Sequence, residues 1–140
     1  MLKIILSTIF TLILISAFGQ IKLTVTGIEE EEGHLRIGIF ENQSQFDDEK
    51  AGKSLVIDKT DINEGSKTIE INLEPGTYGI SILDDADDSK NMTYRFGIYP
   101  LEGVAFSNFK FTGMSKPKFD DFKFDLGNSP IEITAPMRYF

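Results

Sequence analysis

The chain has 140 residues, 14 Lys and Arg against 22 Asp and Glu, a net charge of −8 and no cysteine. That charge is repelled by nucleic-acid backbones and anionic lipid, and it argues against nucleic-acid or membrane-surface binding. Without cysteine there is neither a disulfide nor a thiolate site, so stability must come from burying Ile, Leu, Val and Phe.

Met1-Leu2-Lys3, the apolar run Ile4 to Ile15 and then Ser16-Ala17-Phe18-Gly19-Gln20 have the layout of a secretory signal peptide. Lys3 supplies the positive end, the run is short for a bilayer span, and Ala17 and Gly19 place small residues before a cut near Gly19-Gln20. Residues 1–19 are expected to be a leader and residues 20–140 a single domain, periplasmic or secreted, with no membrane insertion after cleavage. Losing Lys3 makes the remaining chain one unit more acidic.

From Ile21 the apolar residues alternate. Ile21, Leu23 and Val25 form one apolar face, and Leu35, Ile37 and Ile39 form another after the acidic turn Glu29 to Gly33. Gly33 suits the closing turn of a hairpin between these two strands. Glu41 to Lys53 breaks the pattern and reads as a crossing loop with a short helical turn near Phe46. Leu55 and Ile57, then Ile69, Ile71 and Leu73, mark two strands separated by the turn-rich Asp61 to Ser66. Tyr78, Ile80 and Ile82 make a fifth strand, and Val104 and Phe106, extended by Phe109 and Phe111, a sixth. Phe119, Phe122 and Phe124 read as a seventh, with a bulge at Asp120-Asp121 where the spacing of three breaks the two-residue period. Ile131 and Ile133 begin the last strand, which Pro136 ends at a sheet edge. The expected fold is all-β, an antiparallel β-sandwich of seven or eight strands. A soluble barrel is the runner-up. An outer-membrane barrel is disfavoured because Arg138, Thr134 and Glu132 would face lipid and the strands fall short of the ~10 residues a barrel needs.

The candidate chemistry lies in the loop after the fifth strand. Calcium takes hard oxygen ligands from a flexible segment, and Asp84, Asp85, Asp87, Asp88, Ser89 and Asn91 supply them. Asp85, Asp87, Ser89 and Asn91 fit the first, third, fifth and seventh positions of a calcium loop. Lys90 stands where that loop needs glycine and Phe96 where it needs a bidentate glutamate, so a solvated acidic turn competes with the site. No other cofactor is indicated. Glu29 to Glu32 reads as a hairpin tip in water, which could share a cation if topology brought it to the same end. Ala51-Gly52-Lys53-Ser54 lacks the earlier glycine of a phosphate loop, since Asp47 stands there. His34, the single histidine, has no nucleophile in a recognisable setting, and the carboxylates cluster on turns instead of lining a cleft. A non-enzymatic protein is therefore expected, with a carboxylate-dependent hydrolase as the weakest alternative.

Gly97-Ile98-Tyr99-Pro100-Leu101-Glu102-Gly103-Val104-Ala105-Phe106-Ser107-Asn108, preceded by Asp84 to Lys90 and followed by Pro117 and Phe119, resembles the small exported bacterial proteins called domain of unknown function 2141. The departures are Leu83 for a histidine, Ala86 and Met92 for an amide and an acid, and Tyr99 as an insertion. They remove ligands from any cation site that the family's loop forms. The resemblance implies a transthyretin-like or immunoglobulin-like sandwich and no settled activity. Glu102, Ser107 and Asn108 then form either a recognition patch for an envelope protein or small ligand, or a turn whose Ser and Asn satisfy loop backbone groups.

Overall fold

The computed structural model describes residues 18–88 and 102–140. Among these residues eight strands build two sheets: β1 (Gly19–Thr26), β2 (His34–Phe40), β3 (Lys53–Asp58), β4 (Lys67–Leu73), β5 (Gly76–Asp85), β6 (Val104–Phe106), β7 (Lys123–Leu126) and β8 (Ile131–Pro136). One sheet has the order β4-β1-β8; the other has β3-β2-β5-β6, with β7 also pairing β5. Pairing is antiparallel except between β1 and β8, which run parallel. The fold is an all-β sandwich. No helix among the described residues is long and apolar enough to cross a membrane.

The alternating residues do what their period requires. Ile21, Leu23 and Val25 of one sheet meet Leu35, Ile37, Ile39, Ile80 and Ile82 of the other in one apolar core. Leu55 and Ile57 of β3 pack onto its rim.

Three sequence expectations are corrected. β1 and β2 do not form a hairpin, because β1 pairs with β4 and β8 while β2 lies in the opposite sheet. Gly33 instead turns the chain between the sheets at φ +78, where a Cβ would fall 2.0 Å from the carbonyl oxygen of Asp85. That close approach reserves the position for glycine. The sixth strand stops at Phe106, and Phe109 and Phe111 lie outside it.

The third correction exposes a layer that strand counting misses. Phe119–Phe122 is a single helical turn, α2, and its spacing of three places Phe119 and Phe122 on one side of a helix instead of marking a bulge. With α1 (Gln43–Asp47), capped by Asn42 accepting from Gln45 N–H at 2.9 Å, it covers the outer face of the five-stranded sheet. Phe40, Phe46, Leu83, Val104, Phe106, Phe111, Phe119 and Phe122 fill a second apolar cluster there. Phe119 N–H donates to Gln43 Oε1 at 2.8 Å, tying the two turns together. Gly79 lets them approach, since a Cβ would lie 2.6 Å from the Phe122 ring.

The consequence falls on β5. It is covered on both faces, so every residue from Tyr78 to Asp85 is buried. Its two terminal aspartates must each find a charge partner.

Candidate functional site

β5 ends in Asp84 and Asp85, and the two-residue alternation sends them to opposite faces of the sheet. Asp84 follows Tyr78, Ile80 and Ile82 into the space between the sheets. Lys59 follows Leu55 and Ile57 into the same space from just beyond β3, on the far side of β2. The Lys59 ammonium lies directly against Asp84 Oδ1, with side-chain exposures of 1% and 0%. Lys59 Nζ also donates to the carbonyls of Glu30, at 3.0 Å, and Glu32, at 2.5 Å. Tyr139 O–H donates to Asp84 Oδ2 at 2.6 Å and accepts from Glu29 N–H at 2.9 Å. Burial first, and then the bond to Asp84, hold that phenol well above its ordinary range, so it remains a donor.

One buried ion pair thus anchors the backbone of Glu29 to Glu32, whose side chains stand in solvent. Topology does bring the two acidic segments to the same end of the sandwich.

Asp85 points the other way. Arg36, on the outer face of β2, pairs its Nε with Asp85 Oδ2, and its Nη2 lies 3.9 Å from Asp88 Oδ1. Asp88 also holds His34, whose Nδ1 is 2.5 Å from Oδ1. Asp85, Asp87 and Glu102 bring one carboxylate oxygen each to within 4.8 Å of one another. Asp85 is buried, Glu102 half-buried and Asp87 exposed.

Crowding marks Glu102. Desolvation first, then hydrogen bonds and repulsion from Asp87 and Asp85, raise its pKa from the ordinary 4.5 to about 7. Between those values the folded chain keeps a proton that the unfolded chain has released. Stability is therefore expected to fall as pH rises from about 4.5 to about 7, and Glu102→Gln is expected to flatten that slope in thermal melts. A wild-type melting midpoint that rises across the same window would contradict the assignment.

The four described members of the expected calcium ligand set are thereby divided. Asp84 is committed to Lys59 and Tyr139, Asp88 to His34 and Arg36, and Asp85 with Asp87 joins Glu102. Ser89 and Asn91 lie outside the described residues, as do Lys90, Gly97, Tyr99, Pro100 and residues 1–17 of the leader. A linear calcium loop does not describe the contacts that the four described aspartates make. Glu102, expected only in a recognition patch, is the residue that completes the carboxylate group.

Ser107 and Asn108 take the backbone-satisfying alternative. Ser107 is fully buried; its Oγ accepts from Ile80 N–H at 3.0 Å and donates to Phe122 C=O at 2.7 Å, joining β5 to α2. Asn108, at φ 49, accepts from Thr134 N–H at 3.1 Å and returns its own N–H to Thr134 C=O at 2.8 Å. An open cavity of about 280 Å³ lies at the far end of β5, lined by Phe18, Ile39, Glu41, Lys53, Leu73 and Tyr78 among others.

Sequence reasoning missed Lys59 and Tyr139. Lys59 was legible from parity, being the next core-facing position after Leu55 and Ile57. Tyr139 carried no local signal.

No curated protein and no solved structure matches the chain. The family described as "Uncharacterized protein conserved in bacteria (DUF2141)" matches residues 23–134, from within β1 to within β8. The match spans both sheets, the carboxylate end and the Ser107-Asn108 turn, and the chain belongs to that bacterial family.

Proposed function

We propose that the chain is an exported, non-enzymatic β-sandwich module that works at the cell envelope or outside the cell by binding. The observation that carries this reading is the convergence of Glu29–Glu32, Asp87, Asp88 and Glu102 at one end of a rigid sandwich, with Lys59 anchoring the first segment from beneath. Loops displayed by a fixed scaffold are where binding resides, and this end offers negative charge to a cationic or hydrogen-bond-donating partner. The groups best suited to catalysis are engaged structurally: His34 with Asp88, and Ser107 with the backbone of Ile80 and Phe122. Export rests on the leader-like pattern of residues 1–19. Expressed with its leader, the chain is expected in the envelope or exterior fraction beginning at Gln20. A cytosolic chain that retains Met1 would overturn the reading.

A second reading has its own observation. The Asp85, Asp87 and Glu102 oxygens lie close enough together for one divalent cation to replace the proton that Glu102 retains. Melting the purified chain above pH 7 in millimolar calcium and in chelator tests it, because a ligand bound only by the native state raises the midpoint by several degrees at a hundredfold excess over its dissociation constant. Coincident melts would sink it.

A further inference from the structure

The Lys59–Asp84 pair is closed to solvent, and its two groups are in direct contact. Lys59 Nζ rests on Oδ1 of a fully buried carboxyl, and among the described residues that oxygen has no other partner. The other oxygen, Oδ2, receives the Tyr139 hydroxyl. An amine held in contact with a carboxyl, a donor fixed on the second oxygen and a site closed to solvent each favour amide formation. We propose that Lys59 and Asp84 condense into an intramolecular isopeptide bond.

The chemistry balances without a co-reactant. A proton passes from the Lys59 ammonium to Asp84 Oδ1, giving a neutral amine and a neutral carboxylic acid. The Nζ lone pair attacks Cγ, the N–C bond forms, and the charge that develops on Oδ2 is met by the Tyr139 O–H. A second proton moves from Nζ to Oδ1, the Cγ–Oδ1 bond breaks, and one water leaves. Nothing is oxidised or reduced.

Two physical terms favour the forward direction. Holding the two groups in contact removes the entropic cost of bringing an amine and an acid together, which is among the largest rate terms available to a positioned pair. Condensation also converts two desolvated charges, whose attraction barely offsets their burial, into one neutral amide. The carbonyls of Glu30 and Glu32 accept from Nζ in the ion pair, and one of them can keep the single N–H that the amide retains. The bond would tie the end of β3 to β5 across β2. It would thereby give a chain with no cysteine a covalent crosslink that is indifferent to redox conditions.

Mass spectrometry of the full chain, purified as the cell processes it, tests this directly. The expected intact mass is lower by one water than the sequence requires for the observed N-terminus. Trypsin is expected not to cut after Lys59, and the peptide bearing Lys59 should appear joined to the peptide bearing Asp84. Lys59→Arg keeps the positive charge but offers no amine for this condensation, and it should restore the full mass. Tyr139→Phe should slow the condensation and leave a measurable uncondensed fraction. A wild-type chain of full mass with free cleavage after Lys59, or a water loss that maps to any other residue, would overturn the proposal.

Discussion

Lys59→Ala is expected to destabilise the fold by roughly 3–5 kcal/mol in a denaturant melt, a large part of a small domain's total stability. The loss follows from the position of Asp84. With Lys59 gone, a fully buried carboxyl at the core end of β5 keeps only the Tyr139 hydroxyl, and the carbonyls of Glu30 and Glu32 lose their shared donor. An uncompensated buried charge costs far more than the pair contributes when intact. A double replacement, Lys59→Met with Asp84→Leu, removes both charges and is expected to recover the part of the loss that comes from the stranded carboxyl. Measured beside Lys59→Met alone and Asp84→Leu alone, the double change closes a cycle that gives the coupling within this pair. If Lys59→Ala changed the midpoint no more than an exposed lysine does, the buried pair would not exist in solution.

The second large effect lies on the opposite face of the same sheet. Phe46 is fully buried in α1 and meets Phe40 edge-on at 5.3 Å, Phe122 at 4.9 Å and Phe106 at 6.1 Å. It joins α1, α2 and the sheet, with Lys116 over its ring at 4.2 Å from the centroid. Phe46→Ala should cost roughly 3–5 kcal/mol, from lost transfer energy and the cavity left behind. Hydrogen exchange should localise the damage, with protection lost first at Phe119–Phe122, because α2 is one turn long and is held by packing instead of by its own hydrogen bonds. Uniform loss across both sheets would argue that the outer cluster is not a separate layer.

These two regions show what the amino-acid order made legible. Strand existence was readable wherever one face meets the core and the other meets water, as in β1 with Ile21, Leu23 and Val25 against Lys22, Thr24 and Thr26. Sheet membership was not, because nothing local to Glu29–Gly33 distinguishes a hairpin tip from a crossing between sheets. β5 hid its layering because both of its faces are buried, so Leu83 and Ser81 break the alternation instead of following it. The phenylalanines at 119 and 122 were visible as apolar, but their period of three signals a helix only when the turn is known to be isolated from its neighbours.

The carboxylate end was legible as a location but not in its contacts. Four aspartates in five residues suggest a cation loop, whereas parity divides Asp84 from Asp85 and the fold then supplies each with its own cation, Lys59 from just beyond β3 and Arg36 from β2. Glu102 joins Asp85 and Asp87 through contacts set by tertiary structure, and no spacing rule reaches across that separation. Likewise, Ser107 and Asn108 looked equally suited to recognition and to turn chemistry until their partners were known.

That division of neighbouring aspartates is the claim on which the account turns, and paired denaturant melts of Asp84→Ala and Asp87→Ala test it most directly. Asp84→Ala should lose roughly 3–5 kcal/mol by stranding the Lys59 ammonium in the core. Asp87→Ala should leave stability unchanged or slightly raised, since it removes a like charge beside Glu102. Equal losses, or a larger loss at Asp87, would contradict the inward placement of Asp84.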